Sequence, residues 1–244
     1  MTRHATRLAL PLLGLLALAP SSQAEEPLAT ALTRAAPEAD AGMLTLAARS
    51  LECALRMRPE QHPRRLAVID FSKPSTEHRL WVFDLETREL TLTDYVAHGQ
   101  GSGGINTTDF SNRPGSHQTS LGMFRTSETY VGRNGYSLRL DGLEPGFNDR
   151  ARDRAIVMHG ADYVSEGAIK RLGRLGRSWG CPAVRADIAR TLIDDIKNGQ
   201  YLFAYYPDPD WLHKSALFTC PAEGTPPLRT RTAGRPGTLD GHAE

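Results

Sequence analysis

Two residues in this sequence have the types and spacing for covalent chemistry. Cys181 stands in Ser178-Trp179-Gly180-Cys181-Pro182, and His159 stands 22 residues earlier in His159-Gly160. A thiol is mostly protonated near neutral pH, and its thiolate is the strong nucleophile. An imidazole within reach accepts that proton, leaving a sulfur able to attack an amide carbonyl, and later returns the proton to the leaving amine. The tetrahedral oxyanion formed on the way needs N–H donors. Gly180 has no Cβ and lets the backbone turn sharply next to the sulfur, so the amides of Gly180 and Cys181 are candidates for that role. Ser178 either orients His159 or supports the turn. Trp179 is either a wall over the substrate or a core residue. Residue types alone leave Cys181 open between a nucleophile and a buried structural thiol.

Other residues bear on the same chemistry. His98 heads a Gly-rich loop and is a candidate for lining the site. Asp162 either orients His159 or caps the helix that follows. Tyr130 and Tyr136 read as a cross-strand pair. Gly99-Gln100-Gly101-Ser102-Gly103-Gly104 contains G-x-G-x-x-G, but loop residues follow it where dinucleotide binding needs a helix N-terminus. A zinc site built from His98, His159 and either Asp162 or Cys181 is an alternative, yet neither His-Glu-x-x-His nor His-x-x-Glu-His is present. The residues thus argue against a dinucleotide and against zinc. With 29 basic and 28 acidic side chains the chain has no basic excess, which argues against nucleic acid as a partner.

The elements that must position these residues can be read from periodicity. Residues 1–24 carry Arg3 and Arg7, an apolar run from Leu8 to Ala19 and a small-residue ending at Ser22-Gln23-Ala24, the pattern of an export signal peptide. No later stretch is apolar enough to insert stably in a membrane, so an exported protein of the periplasm or cell envelope is expected. Residues 25–61 form an N-terminal extension, loose to residue 39 and then an amphipathic helix from Asp40 to about Met57, with Leu44, Ala47, Leu51 and Leu55 on one face. Residues 62–206 switch to strand patterns, interrupted by the long loop His98–Ser120 and by two short helices, Ser165–Leu172 and Asp187–Asn198. Asn134-Gly135 reads as a tight hairpin with positive φ at both positions. Residues 207–244 are Pro-rich and read as an irregular tail. The expected fold is thus mostly β, a sandwich or barrel-like sheet with two or three short helices and an added N-terminal helix. Three cysteines are an odd set for an oxidising compartment. Either all are core residues, or Cys53 pairs with Cys220 and leaves Cys181 a working thiol.

His159-Gly160 followed at this spacing by Ser178-x-Gly180-Cys181 resembles the active-site signature of the L,D-transpeptidases with the YkuD-type fold. The likeness extends to Val96-Ala97-His98-Gly99, Thr119–Phe124, Gly132–Leu138 and Ala155–Tyr163. It covers roughly residues 62–206 and is similar to a variant branch of that family. The resemblance implies cysteine-dependent acyl transfer on peptidoglycan stem peptides, with Cys181 the nucleophile, His159 its base and a thioester intermediate. It also implies no metal or organic cofactor, and acylation by carbapenems. An amine acceptor gives a cross-link, and water gives an L,D-carboxypeptidase. Two departures stand out. The commoner motif has His at the position of Trp179 and Arg at that of Ala183, which leaves room for a non-catalytic wall-binding module. With Ala183 in that place, Arg177, Arg185 or Arg133 is left to hold a substrate carboxylate, and Gly160 is the remaining substrate-binding candidate.

Overall fold

In the computed structural model, which describes residues 26–220, two helices precede the first strand. The signal expected at 1–24 and the end of the tail lie outside those residues. Helix α1 (Leu28–Ala35) falls where a loose segment was expected, because Ala31 and Leu32 are fully buried and Leu32 packs into the core beside the next helix. Tertiary burial of a short apolar face outweighs weak local propensity. Helix α2 (Ala41–Met57) is capped as read from the sequence: the Asp40 carboxylate accepts from the Met43 N–H at 2.7 Å.

Eight strands then form one sheet: β1 (Arg65–Asp70), β2 (Leu80–Asp84), β3 (Leu90–Asp94), β4 (Gly122–Gly132), β5 (Gly135–Gly142), β6 (Val157–Ala161), β7 (Ala183–Arg185) and β8 (Tyr201–Tyr205). Their order is β3-β2-β1-β8-β4-β5-β6-β7. Just beyond β3, the Ala97 N–H donates to the Ala183 carbonyl of β7 at 2.8 Å, so the two ends meet and the sheet curls into a nearly closed barrel. Helices α3 (Glu166–Leu172) and α4 (Ala186–Ile196) interrupt the later strands, and α5 (Pro209–Lys214) and α6 (Ala216–Thr219) follow β8.

The apolar run that begins β1 is explained by two covered faces. Leu66 and Val68 join a core with α2, while Ala67 and Ile69 join a second core with α4. Among the described residues, helix at 29% and strand at 28% make the fold mixed α/β rather than mostly β. The excess of helix over expectation comes from α1 and from the tail. Pro209 sits at the start of α5, where its missing N–H is harmless, Asp208 caps the helix, and Trp211 is fully buried. Cys220 then bonds to Cys53 with a Cα–Cα distance of 5.4 Å, which fastens the tail to α2 and leaves Cys181 free.

The hairpin differs in detail from the reading of Asn134-Gly135. Arg133 and Asn134 make the turn, and only Gly135 takes positive φ, at 72°. The β4–β5 register pairs Tyr130 with Ser137 and Val131 with Tyr136, so the two tyrosines are not partners. Tyr130 instead lies under the Arg139 guanidinium, and Tyr136 donates to Asp194.

Candidate active site

Strands β6 and β7 run parallel, with His159 opposite Ala183. That pairing brings the segment before β7, which carries Cys181, alongside β6. The two side chains line one open groove of about 740 Å³. Cys181 is 8% exposed and His159 is 5% exposed. The thiol points its hydrogen at the Ala155 carbonyl, with a sulfur–oxygen distance of 3.7 Å. Burial pushes the thiol above its ordinary range, while the Val157 N–H and the Arg154 charge act in the opposite direction.

The imidazole has a defined tautomer. His159 Nδ1 is 2.9 Å from the Gly160 carbonyl, and a carbonyl can only accept. Nδ1 therefore carries the hydrogen, and Nε2 of the neutral ring keeps its lone pair. Burial lowers the imidazolium below its ordinary range, so the ring is neutral at pH 7. Among the described residues no hydrogen bond joins His159 to Cys181. The two groups rest as a neutral thiol and a neutral base sharing a groove, which suits proton transfer during attack rather than a standing ion pair.

The turn before the sulfur is held by Ser178. Its Oγ donates to the Cys181 carbonyl at 2.6 Å and accepts from the Gly180 N–H at 3.1 Å. Of the two readings of Ser178, the turn-supporting one matches these bonds. The Gly180 amide is thus engaged, and Cys181 N–H is the amide of the pair that has no acceptor among the described residues. Gly180 sits at φ 113°, and a Cβ there would come within 2.6 Å of the Gln118 carbonyl, so only glycine fits without a shift. Trp179 is not a core residue. It is 63% exposed, lines the groove, and stacks on His117 with ring centroids 4.9 Å apart.

The remaining candidates divide. Gly160 lines the groove and lets α4 approach, since a Cβ would lie 2.7 Å from Ala189 Cβ. Arg177, Arg133 and Asp162 also line it, and Arg177 donates to the Gly103 carbonyl at 2.7 Å. Asp162 makes no bond to His159; its carbonyl accepts from Ser165 Oγ. Two candidates fall outside the groove lining. Arg185 is turned to Asp187 at 2.8 Å and Asp94 at 3.7 Å. His98 is buried against Arg79 Nη2 at 2.8 Å, so it does not join His159 in the groove. Among the described residues no group of three or more His, Cys, Asp or Glu is placed to hold a metal ion.

Sequence reasoning passed over Arg154, which lines the groove and bonds the loop 111–120. It stands in the charged run Arg150-Ala151-Arg152-Asp153-Arg154, and nothing in its spacing separates it from its neighbours. It also passed over Arg79, which is fully buried and donates to Val96 and Lys73 carbonyls and to Thr107 Oγ1.

The described fold is a nearly closed mixed sheet whose groove holds a free thiol and a neutral imidazole. The L,D-transpeptidase catalytic domain family (YkuD_2) matches residues 35–205, and the chain belongs to that family. No curated protein matches the chain. Solved structures similar to it include an L,D-transpeptidase from Mycobacterium smegmatis, 13% identical over 59% of this chain and 59% of that chain, with a TM-score of 0.37. L,D-transpeptidase 1 of Mycobacterium tuberculosis is 14% identical over 59% of this chain and 62% of that one, with a TM-score of 0.34. An L,D-transpeptidase from Xylanimonas cellulosilytica is 18% identical over 60% and 63%, also with a TM-score of 0.34. The chain spans about three fifths of the length of these solved chains. No helix among the described residues is long and apolar enough to cross a membrane.

Proposed function

We propose that the protein is an exported L,D-transpeptidase of the cell envelope, transferring an acyl group between peptidoglycan stem peptides through a thioester on Cys181. The observation that carries this reading is the one free cysteine among the described residues lying in the same groove as an imidazole whose Nε2 keeps its lone pair. As the substrate amide enters, His159 Nε2 takes the thiol proton. Sulfur bonds to the carbonyl carbon of the L-centre of the stem's diamino-acid residue, and charge builds on the carbonyl oxygen, which the Cys181 N–H is free to meet. The C–N bond to the terminal D-alanine then breaks, and His159 returns the proton to the departing amine. The amine of a second stem attacks the thioester, loses its proton to His159 and frees the sulfur, leaving a cross-link. Exposed Trp179, backed by its stack on His117, stands with Arg177 and Arg133 along the groove to contact the two stems.

Incubation of the purified protein with tetrapeptide muropeptides, followed by product analysis, tests this reading. Cross-linked dimers that form with the wild type and not with Cys181→Ala are expected. Trimmed stems without dimers would make water the acceptor. An unchanged profile with retained sacculus binding would mark a non-catalytic wall-binding module.

A further inference from the structure

We propose that Arg154 is the cation that stabilises the Cys181 thiolate, a role that rests on the reading of Cys181 as nucleophile. Arg154 and Cys181 line the same groove. Arg154 immediately precedes Ala155, whose carbonyl receives the thiol hydrogen. Ala155 holds φ at 53°, a left-handed conformation that side-chain-bearing residues rarely adopt. Such backbone strain persists where the surroundings over-determine it, and here it lies directly beside the sulfur.

The guanidinium is clamped without being neutralised. Nη1 donates to the Ser111 carbonyl at 2.5 Å and to Ser120 Oγ at 2.6 Å. Nη2 donates to Ser116 Oγ at 3.2 Å and to the Gln118 carbonyl at 2.6 Å. All four acceptors are uncharged. Among the described residues no carboxylate lies within ion-pair distance of Arg154, and its Nε–H has no acceptor. A half-buried cation with four bonds fixing it and no counter-anion favours any negative charge that forms beside it. The sulfur is such a group: burial pushes the Cys181 thiol up, and the Arg154 charge, with the Val157 N–H, opposes that push. The clamp also touches the nucleophile's own turn, because the Gln118 carbonyl bonded by Nη2 is the one packed against Gly180. Arg154 thus acts on the thiolate by its charge and on the turn through Gln118.

The test reads the thiol and not turnover, so it separates this proposal from the transpeptidase reading. Second-order rates of Cys181 alkylation by iodoacetamide are measured from pH 7 to 10.5 on the full exported chain with its disulfide intact. Below the midpoint, each unit of upward shift lowers the thiolate fraction about tenfold. Arg154→Gln should lower the rate at pH 8 about tenfold and move the midpoint up by about one unit. Arg154→Lys, which keeps the charge, should hold the midpoint within about 0.3 units. Ser120→Ala removes one clamp partner and leaves the charge, and should also keep the wild-type midpoint. A wild-type midpoint in Arg154→Gln would overturn the proposal, as would a midpoint in Ser120→Ala that rises as far as in Arg154→Gln. Should Arg154→Gln not fold, Arg154→Lys decides: an unmoved midpoint supports the role, and a rise of about one unit or more removes it.

Discussion

The back of the molecule and its groove side are held by different forces. At the back, α1, α2, α5 and α6 bury Leu32, Leu44, Leu51, Trp211 and Leu217 against β1 and β8, and the Cys53–Cys220 bond fastens α2 to the tail. Even its buried carboxylate serves packing: Glu144 accepts from Trp211 Nε1 and from the Met123 N–H. On the groove side, residues 98–120 contain a single short 3₁₀ turn and no strand. That side is ordered by two arginines, Arg79 and Arg154, which donate to carbonyls and hydroxyls of the loops. Apolar burial is non-directional and tolerates repacking, whereas a guanidinium fork fixes orientation. The division lets the back supply stability while the groove side sets the geometry around Cys181.

The largest expected effect tests whether the groove side depends on its polar anchors. Arg79→Ala leaves the Val96 and Lys73 carbonyls without a donor in a buried site and should lower unfolding free energy by roughly 4 kcal/mol or more, read by chemical denaturation. A loss within the range of an ordinary surface change would break the comparison. Next, replacing both Cys53 and Cys220 by Ala should cost about 3 kcal/mol by removing a constraint on the unfolded chain. The same variant should keep the Cys181 alkylation rate within about twofold, since the bond lies in the other region. A larger change in that rate would mean the two regions are coupled.

A pH effect comes third. Burial, and then the Arg79 charge, push His98 down to about 4 from an ordinary value of 6.5. The unfolded chain therefore takes up this proton first as pH falls. The stabilisation from His98 is complete above pH 6.5 and is lost progressively between 6.5 and about 4, roughly 3 kcal/mol in all. His98→Asn keeps an acceptor for Arg79 and should flatten this part of the stability–pH curve relative to wild type. Equal slopes in both proteins would remove the buried histidine from the account. The smallest effect is expected at the rim. Trp179→Ala should change stability by less than about 0.5 kcal/mol, because the ring is mostly exposed, yet raise KM for stem peptides. An unchanged KM would show that the His117–Trp179 stack does not meet substrate.

What could be read in advance follows the same division. Periodic burial made α2 and α4 legible, because Leu44, Ala47 and Leu51, or Ile188, Leu192 and Ile196, repeat at helical spacing, and β1 was legible as an unbroken apolar run. The tail misled because Pro207 and Pro209 suggest irregular chain, whereas burial of Trp211 and a covalent tie to α2 hold two short helices there. On the groove side, Cys181, His159 and Gly180 announced themselves by type. Arg154, the exposure of Trp179 and the withdrawal of His98 and Arg185 did not. Those placements come from loop backbone geometry, from contacts such as Nη2 to the Gln118 carbonyl and Arg185 to Asp187, which carry no period in the sequence.

The central claim is that the Cys181 sulfur forms a bond to the acyl carbon of a stem peptide. Intact-mass spectrometry of folded wild type and folded Cys181→Ala, each incubated with a tetrapeptide stem or a carbapenem, tests it most directly. The account predicts a covalent adduct on the wild type, mapped to Cys181, and none on the variant. An adduct on both proteins, or on neither, would contradict it.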